Sequence, residues 1–224
     1  MSVAELPESA QNYLKVVWAL QEWSDAPVTT SVLAQRMGLK PSTVSDAVRK
    51  FTEQGLMLHA RYGTVGLTET GREHAVAMVR RHRLIETFLV ETLGYRWDEV
   101  HDEAEVLEHA VSDRLVERMA AVLGNPTRDP HGDPIPTVDG LVHRPRAVPL
   151  PDVPAGSSVR VARISDSDPD LLKHFADHEV VLDAELRVLE PAPYAEDVAV
   201  LVVSTGHRAE LGRAAAGAVW VSPL

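Results

Sequence analysis

The sequence predicts an α+β, multidomain chain: a winged helix-turn-helix at the N-terminus, a helical middle, and a small, β-rich, barrel-like tail. Three observations carry this. A helix–turn–helix–hairpin order runs through residues 29–68. Two more helical stretches follow, over 70–93 and 98–123. Beyond a proline-rich stretch the pattern changes to short runs of β-formers. A length of 224 residues suits two or three such domains.

The elements can be justified in order. Residues 9–23 place Tyr13, Leu14, Val17 and Trp18 on one helical stripe, with Pro7 and Ser9 as start signals. Residues 29–37 form a short helix opened by Thr29 or Thr30 and stopped by Gly38. The next helix, 41–54, starts at Pro41, buries Val44, Val48 and Phe51, and ends at Gly55. Residues 56–68 read as a hairpin turning at Tyr62–Gly63–Thr64. A long helix then runs to Leu93 and stops at Gly94; the following helical stretch breaks near Ser112. Eight of the fifteen prolines lie between Pro126 and Pro154, which predicts an extended connector outside any core. Strands are expected at 158–164, 185–190, 197–203 and 218–221, with a short helix at 169–178.

Composition excludes several classes. There are no cysteines, so disulfide scaffolds, thiolate zinc sites and cysteine nucleophiles are out. No apolar run approaches ~20 residues and the N-terminus is not a signal peptide, so a soluble, cytoplasmic protein with no membrane partner is expected. The net charge of −11 argues against a general nucleic-acid binder. Yet residues 29–72 hold six bases and three acids, +3, whereas 75–224 hold 15 bases and 25 acids, −10. In the basic module, Lys40, Ser42, Thr43 and Asp46 stand at the N-terminal end of the second helix, where side chains reach base edges. Arg49, Lys50 and, in the wing, Arg61 are placed for phosphates, with His59 beside them. The competing reading is three packed helices with a solvated polar face.

The acidic surplus is concentrated. Residues 98–109 carry six acids and no Lys or Arg, and His101, Glu105, Glu108 and His109 fall at i, i+4, i+7 and i+8. His82 and Glu86 form another i, i+4 pair upstream. Such like charge on one face is unfavourable unless a cation sits there, and imidazole with carboxylate suits Mn²⁺, Fe²⁺, Co²⁺ or Zn²⁺. A solvated acidic face is the alternative. A carboxylate-bridged di-metal enzyme would need Glu-x-x-His pairs, and no His here has Glu three residues before it. No hydrolase or phosphate-loop motif is present, so no catalytic residue is expected.

These segments together resemble the diphtheria-toxin-repressor family of metal-dependent transcriptional repressors, and within it the three-domain actinobacterial manganese regulators. The resemblance rests on NYLKVVWAL at 12–20, PSTVSDAVRKFTEQGL at 41–56, LTETGR at 67–72, RRHRLIETFL at 80–89, VHDEAEVLEHAVSD at 100–113 and DPHGDPIP at 129–136. It spans about residues 9–224 and is strongest through 136.

What the resemblance implies is specific. It gives a DNA-binding domain at 1–74, a helical dimerisation and metal-binding domain at 75–143, a linker at 144–153 and an SH3-like domain at 154–224. It implies a homodimer that binds palindromic double-stranded operators when metal is bound. A first metal site carries over to Asn12, Glu105, Glu108 and His109. A second carries over to His82, Glu86 and His101, with Asp166 as the ligand from the tail. Iron-responsive members carry Cys where Glu105 stands, which favours Mn²⁺ here. Two positions depart from the pattern: Asn12 replaces Asp or Met, and Lys15 replaces the bridging Glu of two-domain manganese regulators. Separated sites are therefore expected rather than a binuclear one. The alternatives are an iron-responsive repressor of the same fold, a di-metal enzyme and a helical scaffold.

Overall fold

The computed structural model describes residues 5–60, 63–190, 192, 194 and 196–224. The chain divides into two compact units. The first comprises residues 1–82, 108–113 and 136–141; the second comprises 83–107, 114–135 and 142–224.

In the first unit, α1 (Glu8–Glu22), α2 (Thr30–Met37) and α3 (Pro41–Glu53) precede a two-stranded hairpin, β1 (Met57–His59) and β2 (Val65–Leu67). Thr29 caps α2 by accepting the Val32 N–H, and Gly38, at φ 64°, ends it in the left-handed conformation. The stripes expected to be buried are buried: Leu14, Val17 and Trp18 on α1, and Val44, Val48 and Phe51 on α3. The Tyr13 and Phe51 rings pack with centroids 5.4 Å apart. The wing is tied down where the Val65 N–H donates to the Val28 carbonyl at 2.7 Å. The expected turn residue Tyr62 lies outside the described residues, as does Arg61. Helix α4 (Glu69–Leu93) begins where Thr68 Oγ1 accepts the Gly71 N–H.

The second unit is built around a six-stranded antiparallel sheet. Its strands are β3 (Val148–Pro149), β4 (Ser158–Ile164), β5 (Glu185–Val188), β6 (Val198–Val202), β7 (Arg208–Leu211) and β8 (Val219–Pro223), in the order β3-β8-β4-β5-β6-β7. Val159, Val161, Leu186, Val188, Val200 and Val202 alternate inward from β4, β5 and β6 and meet Phe175 of α7 (Pro169–Asp177). A one-turn helix, α8 (Arg213–Ala216), adds Ala216 to the same core. Helices α5 (Val100–Leu107) and α6 (Asp113–Val122) complete the elements. Strands β3 and β7 were not expected from sequence. They are short, and Arg208–Leu211 alternates charge with only two apolar residues.

Two readings of the sequence need correction. The proline-rich stretch is not an extended connector throughout. Asp129, His131, Asp133 and Ile135 are buried, and Leu150, within the expected linker, lies in the sheet core. The chain there folds back on itself: the Asp129 N–H donates to the Asp133 carbonyl, and the Ile164 N–H of β4 to that of His131. Prolines suit such a fold because they need no backbone donor. Nor do His101, Glu105, Glu108 and His109 share one continuous helical face. Helix α5 ends at Leu107, and the Glu108 carbonyl beyond it accepts from Arg81 Nη1 at 3.0 Å.

Candidate metal centres and nucleic-acid interface

In the first unit a buried polar cluster joins α1 to the segment after α5. Glu108 is fully buried. Lys15 Nζ lies 2.7 Å from each of its carboxylate oxygens, and His82 Nδ1 lies 2.5 Å from one of them. Lys15 Nζ is also 3.1 Å from His82 Nδ1. Burial pushes the Glu108 carboxyl up, but His82 and Lys15 outweigh it and hold the group below the usual carboxylate range. Beside it, His109 Nδ1 meets the Gln11 side-chain oxygen at 2.8 Å, and Nε2 is 3.6 Å from Glu108. Next to Gln11, the Asn12 side-chain oxygen is buried with no hydrogen-bond partner. An orphaned, neutral oxygen donor is what a cation site on α1 would employ.

The second unit holds another cluster. His101 Nδ1 lies 3.2 Å from Glu86 Oε1 and 3.3 Å from Asp166 Oδ2, and its Nε2 is 3.6 Å from Glu105. Burial would lower the His101 pKa, yet its hydrogen bonding to the Asp166 and Glu86 carboxylates and their negative charge push it up to about 10. In the same unit Glu86, Asp129 and His131, all buried, bring one donor atom each within 4.8 Å of the others. Burial and the neighbouring Asp133 and Glu86 raise the Asp129 carboxyl.

The structure brings several of the sequence candidates together. It puts His82 with Glu108, and Glu105 with His101. It brings Asp166 onto His101, across 65 residues of sequence. Gln11, Lys15 and Arg81 take part in the first cluster without having been singled out as candidates. Helical spacing on α1 is the signal that could have found Gln11 and Lys15, because residues 11, 12 and 15 share a face. Asp129 and His131 were overlooked because proline content marked their segment as a connector.

Lys40, which precedes α3, and Ser42, Thr43, Asp46, Arg49 and Lys50 on it are all exposed. Arg49 is held by Asp46 at 2.9 Å, one turn earlier on the helix. The apolar positions of α3 are turned inward, so its polar edge is presented to solvent as a major-groove reader requires.

Comparison with known proteins shows the family. Residues 5–65 match the iron dependent repressor N-terminal DNA binding domain, 68–137 the iron dependent repressor metal binding and dimerisation domain, and 148–223 the FeoA domain. The iron-dependent repressor IdeR of Mycobacterium tuberculosis is 35% identical over 215 residues, 91% of either chain. The chain belongs to the diphtheria-toxin-repressor family. The diphtheria toxin repressor of Corynebacterium diphtheriae itself is 33% identical over 188 residues, 82% of this chain and 83% of that one. A solved structure described as a manganese-dependent transcriptional repressor in complex with manganese is 56% identical, covers 96% of this chain and 100% of its own, and superposes with a TM-score of 0.92. As a member of this family the chain is a metal-dependent, DNA-binding transcriptional repressor and not an enzyme. Its tail is the family's SH3-like domain. Among the described residues no helix is long and apolar enough to cross a membrane.

Proposed function

We propose that the chain is a manganese-responsive repressor of metal-homeostasis genes, acting in the cytoplasm as a homodimer on palindromic operators. The observation that carries this is the cluster of Lys15, His82, Glu108 and His109, in which α1 of the DNA-binding module meets potential metal donors directly. Asn12, Glu105, Glu108 and His109 are the proposed donors of one site, and His82, Glu86, His101 and Asp166 those of a second, with His82 also within reach of Glu108. A divalent cation supplies these acid groups with the positive charge that favours the DNA-competent arrangement. Lys15 must turn away from Glu108 for that carboxylate to serve as a donor. Asn12 and Gln11 then fix α1 against residues 108–109, and α3 is held at the spacing of successive major grooves. Exposed Leu93, Val106, Leu115 and Val122 on α4, α5 and α6 offer apolar surface to the second copy.

Gel shifts on a palindromic promoter site test the reading. Retention should require Mn²⁺ and vanish on chelation; equal retention without metal would refute it. Thr43→Ala should weaken operator binding about tenfold, within the 1–3 kcal/mol typical of a base contact, and Arg49→Ala, at a phosphate, should weaken it on any sequence and make it less salt-dependent. Metal binding, measured by calorimetry, should not change. Loss of both together would place these residues in the fold rather than at the DNA.

A second reading, iron sensing, is favoured by the relatives named iron-dependent repressors. The absence of any cysteine favours manganese, because a carboxylate set prefers the harder ion. Titrating Mn²⁺ and anaerobic Fe²⁺ against the same operator separates the two.

His101 adds a pH dependence. Between Glu86 and Asp166 it keeps its proton up to about pH 10. Metal uptake at this site near pH 7 should therefore release about one proton, and affinity there should rise with pH, because cation and proton compete for one ring. Calorimetry in buffers of different ionisation enthalpy reads the proton directly. No release in wild type, or the same release in His101→Gln, would show that His101 is not where the proton is held.

A further inference from the structure

Three histidines outside the clusters described above meet at the surface of the second unit. His174 lies in the last turn of α7, and His178 directly follows that helix. Their ring centroids are 4.3 Å apart. His207 stands at the end of the turn between β6 and β7, with its centroid 5.7 Å from that of His178. His174 and His207 are exposed, and His178 is partly so.

Hydrogen bonds fix where these rings start from. His178 Nδ1 lies 2.9 Å from the His174 carbonyl oxygen. A carbonyl only accepts, so Nδ1 carries the hydrogen and donates, and the neutral ring keeps its lone pair on Nε2. Beyond it Glu179 takes the left-handed conformation at φ 58°, and the Val180 N–H returns to the Phe175 carbonyl at 2.9 Å to close the helix. The Glu179 carboxylate accepts from the Thr205 hydroxyl. Thr205 Oγ1 in turn accepts the His207 N–H at 3.3 Å, and the His207 carbonyl accepts the Val202 N–H at 2.8 Å. One carboxylate thus ties the end of α7 to the β6–β7 turn and sets His207 beside His178.

We propose that His174, His178 and His207 form a surface site for a borderline divalent transition-metal ion of the class of Zn²⁺, Ni²⁺ and Cu²⁺. Two imidazoles on one tetrahedral ion, each bound at about 2.0–2.1 Å, have ring centroids roughly 5 Å apart. The observed 4.3 and 5.7 Å lie on either side of that spacing, so the rings converge on one ion by turning about their side-chain torsions. The hydrogen bond from His178 Nδ1 to a backbone carbonyl is the arrangement that orients a metal-ligating imidazole. Three protein donors leave the fourth position of the ion to water. The donors are all nitrogen, since Glu179 is turned to Thr205. Affinity at such sites rises along the first row from Mn²⁺ to Cu²⁺, so this site passes over the Mn²⁺ that carboxylate-rich clusters accept. The competing arrangement is three imidazoles that pack the turn against α7 with no ion.

The test counts ions bound per full-length chain, by equilibrium dialysis and elemental analysis. Wild type, His174→Gln and His207→Gln are each dialysed against Zn²⁺ and, separately, against Mn²⁺. Both positions are exposed, and glutamine keeps a polar side chain there. Each variant should hold one Zn²⁺ fewer than wild type and the same number of Mn²⁺. A wild-type Zn²⁺ count in either variant overturns the three-histidine site. So does a loss of Mn²⁺ together with Zn²⁺, because the histidines would then act through the fold. The outcome is separate from the manganese reading: a wild type that binds no Mn²⁺ refutes the proposed function, and the Zn²⁺ counts still decide this site. Should a variant fail to fold, nitrogen NMR of the wild-type imidazoles with Zn²⁺ decides. A metal-shifted His178 Nε2 supports the site, and a resonance unmoved at saturating Zn²⁺ refutes it.

Discussion

Glu108→Ala is expected to abolish Mn²⁺-dependent operator retention, reducing apparent affinity with metal to the metal-free level. The size of that loss is the coupling between metal and DNA, which for allosteric proteins is typically about 5- to 150-fold. Glu108 is completely buried, and both its oxygens are engaged by Lys15 on α1 and His82 on α4. Removing it strands an ammonium that is itself largely buried. Breaking a buried pair from one side costs about 3–5 kcal/mol, so the melting temperature should fall as well. Glu108→Gln keeps the shape and separates the two effects: it should fold better than Ala and still not respond to Mn²⁺. Lys15→Met makes the opposite change, taking away the internal cation that competes for Glu108. It should reach half-maximal retention at lower Mn²⁺ than wild type. Full Mn²⁺ response in Glu108→Gln, or a higher Mn²⁺ requirement in Lys15→Met, would contradict this account of the cluster.

Gly132→Ala should be the most destabilising single-methyl addition in the second unit. Gly132 sits at φ 90°. A Cβ there would lie 2.3 Å from the Ala162 carbonyl oxygen, 2.8 Å from Leu182 Cδ2 and 2.9 Å from Arg163 Cα. Two of those atoms are backbone of β4, which cannot step aside as a side-chain tip would. Strained backbone and overpacking each cost about 1–3 kcal/mol, so a total of roughly 3–5 kcal/mol is expected in urea unfolding of the metal-free protein. Gly94→Ala is the control. It has a similar φ of 77° with nothing within 4 Å of the added carbon, so only about 1–2 kcal/mol of backbone strain applies. Equal costs for the two would show that the approach of residues 129–135 to β4 is not tight.

Much of this molecule was legible before its structure. Helical periodicity found α1–α4 within a residue or two at each end, because apolar stripes such as Val44, Val48 and Phe51 can be buried in only one way. Alternating β-formers found β4, β5, β6 and β8 for the same reason. Local charge separated a basic reading module from an acidic remainder. Strand β7 escaped because Arg208–Leu211 has little apolar content, and its place is set by pairing with β6.

The sequence by itself determined the winged helix-turn-helix, the type of donors available and, by lacking cysteine, the hardness of any metal centre. Those properties follow from residue identity and from spacing within single elements. Tertiary structure decided which donors meet. His101, Glu105, Glu108 and His109 look like one stripe only if the helix continues, but it stops at Leu107, and the Glu108 carbonyl accepts instead from Arg81, 27 residues earlier. Lys15 reaches Glu108 across 93 residues, and Asp166 reaches His101 across 65. The Asp129–Asp133 segment is polar and proline-rich, yet it is buried because Arg83 and Arg163 neutralise its carboxylates and β4 receives its backbone. Pairings of this kind depend on long-range charge compensation and hydrogen bonding, and no local pattern encodes them.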